Sequence, residues 1–344
     1  MPFITANDPL WKNILEHSAY DIYHLPGYTE IEAKLLKGTA LGWYYHFDEA
    51  DILIPLVSRP INAIENYHDL ISPYGYPGVL TSVPLSGDDI SSVLLQFSQE
   101  ALQAEFVSSF IRLNPLYNTW KLGVIPHCRQ WFHGLTVAIN LQLPIHDLRE
   151  DYSENHQRNL KKLERLGYYY KINYWQDIDY FLQAYRQTMV RKQAHPYYFF
   201  PDDYFEALKN LADEHLIFIS VYEPTGKFTS GGLFTLYGSI LQYHLGGTDN
   251  EFLKFSPSKM MIHAAILKGM ELGAKLLHLG GGVGANAHDG LFRFKKGFGQ
   301  LLFPYSTLRM VHLPEVYTFL KKKFSIAKPY EDYFPEYRIH KSSS

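Results

Sequence analysis

The two halves of the sequence show the same order of predicted elements, and this repeat limits the possible folds more than any other feature. The second half has three strand-like runs separated by turns, then a helical pattern and a last strand: 216–223, 230–238, 240–248, 255–273 and 274–282. The first half has a hairpin, a Gly- and Pro-rich loop, a helical pattern and a strand: 41–47, 51–57, 72–78, 89–104 and 106–114. Corresponding elements lie about 170–175 residues apart, which indicates one supersecondary unit used twice.

The repeat predicts an α/β (α+β) fold with two similar domains, each a mixed, largely antiparallel sheet flanked by helices. A chain of 344 residues is long enough for two such cores. The pattern changes near residue 150, so we predict domains at 1–150 and 151–344. Ser153 and Ser256 are predicted helix N-caps, and Gly167 and Gly273 are predicted to end those helices.

Composition narrows the class of protein. The formal net charge is −3, so we expect no DNA partner, and a polyanion would have to bind a local basic patch. Cys128 is the one cysteine, and its spacing from His127 and His133 is not that of a known metal site. With no apolar run long enough to span a bilayer and no signal-like N-terminus, we expect a cytoplasmic protein. The abundant aromatic residues are expected mainly to pack strands and domain faces.

The segment 276–299 raises the question of dinucleotide binding. Gly282, Gly284 and Ala287 match G-x-G-x-x-A directly after a predicted strand. In a dinucleotide fold the third small residue lies inside a helix, and an acidic residue follows about 20 positions later. Neither feature is apparent here, so the sequence argues against NAD binding.

The following run, "FRFKKGFG", alternates aromatic and basic residues and predicts a strand after a loop. In a strand, Phe292, Phe294 and Lys296 would share one face. Arg293 and Lys295 would share the other face. The run could be an edge strand with a solvated basic face, or a site where glycines let a ligand approach closely.

The segment 243–299 resembles the C-terminal domain of FemA/FemB/FemX-like proteins, a branch of the GNAT acyltransferase superfamily. That domain runs from a strand through G-[GAS]-[ST] to a helix, a strand ending in glycines, a loop and F-K-x-x-F, here Phe294, Lys295 and Phe298. Similar matches to the family occur at four further segments: 21–28, 72–78, 154–167 and 185–200.

The resemblance implies two tandem GNAT-like domains and an N-acyltransferase or aminoacyltransferase activity. Members of the family transfer an amino acid from aminoacyl-tRNA to the amine of a peptidoglycan precursor. The acceptor here would be a cell-wall peptide or a surface-polysaccharide precursor. An aminoacyl-tRNA–protein transferase and a non-catalytic nucleotide-sugar or peptide binding module remain alternatives.

The resemblance also assigns roles to individual residues. Catalytic candidates are the lysine of the F-K-x-x-F motif, two glycines that could hold the acyl oxygen, and a histidine base: Lys295, Gly246, Gly247 and His244. Substrate-binding candidates are Tyr74, Tyr76, Arg112, Arg158, Arg191, Arg293, Ser256 and Ser258. The pair His288 and Asp289 is a weaker candidate for a base. For the two glycines, an ordinary strand end is an equal alternative.

The donor is the least determined part of the prediction. GNAT proteins that use acetyl-CoA carry a glycine-rich phosphate loop before the helix that here begins near Pro257, whereas 249–259 contains no glycine. We therefore expect aminoacyl-tRNA as donor, with acyl-CoA less favoured, and no tightly bound cofactor and no metal. Ser256, Ser258 and the helix N-terminus could still hold one phosphate.

Overall fold

The computed structural model describes residues 2–62, 66–282, 289–324 and 333–339. The chain forms two compact units: Met1–His133 with Pro304–Ser344, and Gly134–Phe303. The predicted boundary at residue 150 divides the chain at a different place. The second unit begins before that boundary, and the first unit also takes in the C-terminal segment.

Helices and strands are mixed along the chain. Up to residue 150 they are β1 (Phe3–Thr5), α1 (Pro9–Glu16), α2 (Pro26–Leu36), β2 (Thr39–Phe47), β3 (Ala50–Pro60), β4 (His68–Ile71), β5 (Leu80–Thr81), α3 (Gly87–Gln103), β6 (Phe106–Arg112), β7 (Cys128–Asn140) and α4 (Ile145–Glu150). From there they are α5 (Glu154–Arg165), β8 (Tyr169–Ile172), α6 (Ile178–Arg191), α7 (Asp202–Ala212), β9 (Leu216–Tyr222), β10 (Phe228–Tyr237), β11 (Ile240–Thr248), α8 (Ser258–Glu271), β12 (Leu276–Gly281), α9 (Gly290–Lys296), β13 (Leu301–Val311) and α10 (Pro314–Lys323). Short 3₁₀ helices include Asn250–Phe255 and Glu336–Arg338.

In the first unit the strand order is β1-β2-β3-β4-β6-β13, with β5 paired to β3. All neighbours are antiparallel except β4 and β6, which are parallel because α3 crosses between them. Residues Thr307–Val311 of β13 pair with β6. The core of this unit includes the fully buried Trp43, Ile54, Phe97 and Leu308.

In the second unit the strand order is β7-β12-β11-β10-β9-β8. Here too the neighbours are antiparallel except for one parallel pair, β11 and β12, which α8 connects. Helix α8 is buried on nearly all sides, and Met261, Ile262 and Ala265 contribute to the core. A helix that is apolar all round is typical of the centre of a packed unit.

The predicted repeat and fold class are confirmed. Each unit has three antiparallel strands, then a helix, then a strand parallel to the third: β2-β3-β4, α3, β6 and β9-β10-β11, α8, β12. The sequence prediction missed β4 and β8, each of four residues, which are too few for period-2 alternation to show. It also missed β1, β5 and the longer strands β7 and β13.

The predicted helix ends are partly confirmed. Ser153 caps α5 by accepting a hydrogen bond from the His156 backbone N–H, and Gly167 and Gly273 follow their helices with positive φ angles of 79° and 74°. The predicted cap at Ser256 is wrong. This residue ends the 3₁₀ helix Asn250–Phe255 in a left-handed conformation, and its side chain caps no helix.

Among the helices of the described residues, none combines the length and apolarity that crossing a membrane requires.

A buried charge cluster fixes the C-terminal segment of the first unit to strand β4. Asp69 is fully buried and accepts hydrogen bonds from Arg59 Nε at 2.9 Å and from Arg338 Nε at 2.5 Å. The Tyr337 hydroxyl also donates to Asp69, at 3.0 Å. One carboxylate thus organises two arginines from distant parts of the chain.

Asp69→Asn should lower the free energy of unfolding by about 3 kcal/mol, because it leaves two partly buried guanidinium groups without their counter-charge. Urea unfolding measures the change. Glu16→Gln is the matched control, since the pair of Glu16 with Lys12 is exposed and should contribute less than about 1 kcal/mol. Equal effects of the two substitutions would contradict a structural role for the cluster.

Candidate functional site

The second unit contains an opening between two strands that start as neighbours. Strands β11 and β12 pair only over Ile240–Gln242 and Leu276–His278. Beyond this point β11 has a bulge at His244 against β10, and β12 has a bulge between His278 and Gly280 against β7. Bulges bend and twist strands, so both edges of the opening diverge. A hydrogen bond of 2.6 Å between His278 and the Gln242 side chain joins the two strands at its base.

Lys295 reaches this opening from α9, a helix where the sequence predicted a strand. The helix forms here for a local reason: the Asp289 carboxylate accepts a hydrogen bond of 2.8 Å from the Phe292 N–H and so caps the helix. The predicted sharing of faces is therefore wrong. Phe292 and Lys295, three residues apart, are both buried, whereas Arg293 and Lys296 are exposed.

The ammonium group of Lys295 lies at the β12 side of the opening. Its Nζ donates a hydrogen bond of 2.6 Å to the Gly281 carbonyl and lies 5.8 Å from the centroid of the Tyr243 ring on β11. The residue is 8% exposed. Burial lowers the pKa of Lys295 to about 7, although the nearby Asp289 charge partly opposes this. Both protonation states are therefore populated near neutral pH.

The two glycines of β11 face different neighbours. A Cβ on Gly247 would lie 2.5 Å from the Tyr185 backbone nitrogen, so this glycine lets α6 approach the strand. A Cβ on Gly246 would lie 1.9 Å from the Tyr243 hydroxyl oxygen. Gly246 and Lys295 are thus brought to the same opening, with Tyr243 between them. The proposed use of the glycine N–H groups to hold an acyl oxygen stays a prediction.

His244, the predicted base, is buried against α7. Its Nε2 lies 2.9 Å from the Tyr204 hydroxyl, and burial lowers the pKa of His244 to about 3. A group with so low a pKa is a weak proton acceptor. Of the weaker pair, His288 lies outside the described residues, and Asp289 is the cap of α9.

The predicted anion-binding residues of this unit are dispersed. Arg191 hydrogen-bonds Asn250 and Thr188 and lines an open cavity of about 670 Å³ between α6 and the 3₁₀ helix Asn250–Phe255. Arg158 and Arg293 are exposed on α5 and α9. Ser256 precedes α8 by two positions, and Ser258 is its first residue.

The acceptor residues predicted in the first unit lie around the loop 72–78. Arg112 donates a hydrogen bond of 2.6 Å to the Ser72 carbonyl, which positions the loop. The Tyr76 ring packs edge-on against Tyr23 and Tyr305. The Tyr74 N–H donates to the Glu32 carboxylate at 3.1 Å. Binding of an acceptor here stays a prediction.

Sequence reasoning missed Tyr243, Gln242 and His278. Gln242 and His278 form the last pair between β11 and β12, and Tyr243 follows directly after it. No sequence signal marks these positions, because strand pairing is a tertiary property. Across the described residues, no group of three or more His, Cys, Asp or Glu side chains is arranged to hold a metal ion.

The lowered pKa of Lys295 predicts a specific pH dependence of stability. The unfolded chain keeps this lysine charged up to about pH 10.5, while the folded chain loses the proton near 7, so the unfolded state binds more protons between those values. Relative to Lys295→Met, the wild type should gain roughly 3 kcal/mol of stability from pH 7 to pH 10. Thermal unfolding across this range measures it, with exposed Lys296→Met as the control. A difference that does not vary with pH would contradict the burial of the charge.

Comparison with known proteins agrees with this fold. Residues 151–296 match the family described as Acetyltransferase (GNAT) domain. The solved structure of FemX is similar at 16% identity and a TM-score of 0.67, covering 93% of this chain and 99% of FemX. Two further structures have TM-scores of 0.55. The first is L-PGS from Bacillus licheniformis, with 13% identity over 92% of this chain and 97% of that protein. The second is the C-terminal domain of a putative lysylphosphatidylglycerol synthetase from Agrobacterium fabrum, with 11% identity over 92% of this chain and 94% of that domain.

No curated protein matches the chain in sequence. The matched domain lies at the centre of the second unit and ends with α9, so it contains the opening and Lys295. Residues 151–296 therefore contain an acetyltransferase domain of the GNAT type, and the chain as a whole has a FemX-like fold.

Proposed function

We propose that the protein transfers an acyl or aminoacyl group to an amine of a cell-wall peptide or surface-polysaccharide precursor, with Lys295 as a catalytic residue. The observation that carries the proposal is the buried Lys295 ammonium group at the opening between β11 and β12. This opening lies in the segment that matches the acetyltransferase family.

The reaction forms a bond between the acceptor nitrogen and the acyl carbon and breaks the bond from that carbon to the donor oxygen. The proton lost by the amine ends on the leaving hydroxyl group. Negative charge builds up on the acyl oxygen and the leaving oxygen, so a cation in a site of low dielectric constant lowers the barrier. Lys295 in its ammonium form supplies this cation.

The structure around the start of α8 favours aminoacyl-tRNA over acyl-CoA as donor. A diphosphate binds best where a glycine-rich loop lets backbone N–H groups surround it, and 249–259 contains no glycine. Helix α5 also lies against this end of α8: Asn159 donates to the Phe255 carbonyl at 2.8 Å, and Lys259 donates to Asn155 at 2.5 Å. Both features reduce the space for the CoA diphosphate.

The acceptor has two candidate classes. The similarity to FemX favours the amine of a peptidoglycan precursor peptide. The similarity to two proteins named after lysylphosphatidylglycerol synthesis makes a glycerophospholipid hydroxyl the second candidate. Both candidates are acceptors of an activated aminoacyl group.

A matrix of donors and acceptors tests the function. Purified protein is incubated with a mixture of radiolabelled aminoacyl-tRNAs or with radiolabelled acetyl-CoA. Each donor is combined with a UDP-linked muramyl peptide, phosphatidylglycerol vesicles or a peptide with a free N-terminus. We expect label transfer from aminoacyl-tRNA to the muramyl peptide. Transfer only to the N-terminal peptide would indicate a protein transferase, and no transfer in any combination would favour a binding module.

Lys295→Ala should lower the rate of transfer at least about 100-fold, because it removes the cation beside the developing charge. The matched control is Lys296→Ala, which removes the same charge one residue away at an exposed position and should keep the wild-type rate within about threefold. Circular dichroism checks that both variants fold. Equal rates for the two variants would exclude the proposed role of Lys295.

A further inference from the structure

We propose that Tyr243 is a second catalytic residue of this opening, whose hydroxyl donates a hydrogen bond to the acyl oxygen during transfer. This inference rests on the proposed function and deepens it. It gives the opening two donors: the Lys295 ammonium group, which α9 brings to the Gly281 carbonyl at the end of β12, and the Tyr243 hydroxyl on β11.

The position of Tyr243 follows from the strand pairing. Gln242 is the last residue of β11 that pairs with β12, so Tyr243 is the first residue on the separating edge. The bulge at the next residue, His244, changes the direction of the strand directly after it. A side chain beside a bulge points in a different direction from the same side chain in a regular strand.

The Tyr243 ring is held firmly. It stacks on Phe234 of β10 with ring centroids 5.1 Å apart and ring planes 28° apart. Its hydroxyl lies over Gly246, where a Cβ would come within 1.9 Å of the oxygen. The glycine at 246 therefore leaves space for the hydroxyl group. A rigidly held donor needs little reorganisation when charge develops.

The chemistry of the group also fits donation. Burial raises the pKa of the Tyr243 phenol, so the hydroxyl is protonated at neutral pH and can donate a hydrogen bond. The Lys295 ammonium group 5.8 Å from the ring centroid would add a second interaction with the same developing charge. A role limited to packing would need the ring but not the hydroxyl.

Tyr243→Phe separates these two roles because it keeps the ring on Phe234 and removes only the oxygen. We expect kcat to fall about 30-fold, somewhat less than the roughly 100- to 1,000-fold loss typical of removing one oxyanion donor, because Lys295 remains in place. KM for donor and acceptor should change less than about twofold. Tyr170→Phe is the matched control, since this tyrosine is exposed on β8, and it should keep wild-type kcat. A wild-type kcat in Tyr243→Phe would overturn the proposal.

A second measurement tests the geometry without activity. Gly246→Ala should lower the midpoint of thermal unfolding in the wild type, because the new methyl group meets the Tyr243 hydroxyl. In the Tyr243→Phe background the same substitution should lower it less, because the nearest clashing atom is gone. Equal shifts in the two backgrounds would show that the hydroxyl does not lie over Gly246.

The failure of this inference is distinguishable from failure of the proposed function. If wild-type protein transfers label and Tyr243→Phe does so equally well, only the role of Tyr243 is wrong. If wild-type protein transfers label from no donor to any acceptor, the proposed function itself is wrong, and the role of Tyr243 is wrong with it.

Discussion

The parallel pairing of β11 with β12 is short, and the candidate site depends on that shortness. Three residue pairs hold the strands together, and the contact of Gln242 with His278 closes the base. If the pairing continued, the ladder would satisfy the backbone groups of both strands and leave no space between them. Each strand instead has a bulge in its pairing with its other neighbour, β11 against β10 and β12 against β7. Bulges bend strands, so the sheet opens and polar side chains can enter.

Lys295 is placed there at a cost in stability. The buried ammonium group loses hydration that one carbonyl hydrogen bond and the charge of Asp289 replace only in part. The anchors that keep it in place are apolar: Phe292 and Phe298 are buried in the core, and Gly297 lets the His156 ring approach the helix end. A buried charge whose desolvation is only partly compensated is typical of functional sites, which often lower the stability of the fold.

Several features could be predicted from the sequence because they depend on neighbouring residues. Period-2 runs and turn residues marked the strands β9 to β11, and Ser153, Gly167 and Gly273 marked helix ends. The prediction of a strand in 292–299 was wrong, because the same alternation of Phe with Lys and Arg also fits the two helical turns of Gly290–Lys296. The carboxylate of Asp289 decided between the two by capping the helix.

The sequence by itself determined the repeat and the α/β class and marked Lys295 as a candidate, because the order of elements and a motif of closely spaced residues are properties of the chain. Tertiary structure alone decided what surrounds that lysine. Tyr243, Gly246 and Gly281 lie between 14 and 52 residues before Lys295 in the chain, and they meet it only because β11 and β12 separate after three pairs. Burial, and with it the lowered pKa of Lys295, is a property of that packing and not of any local pattern.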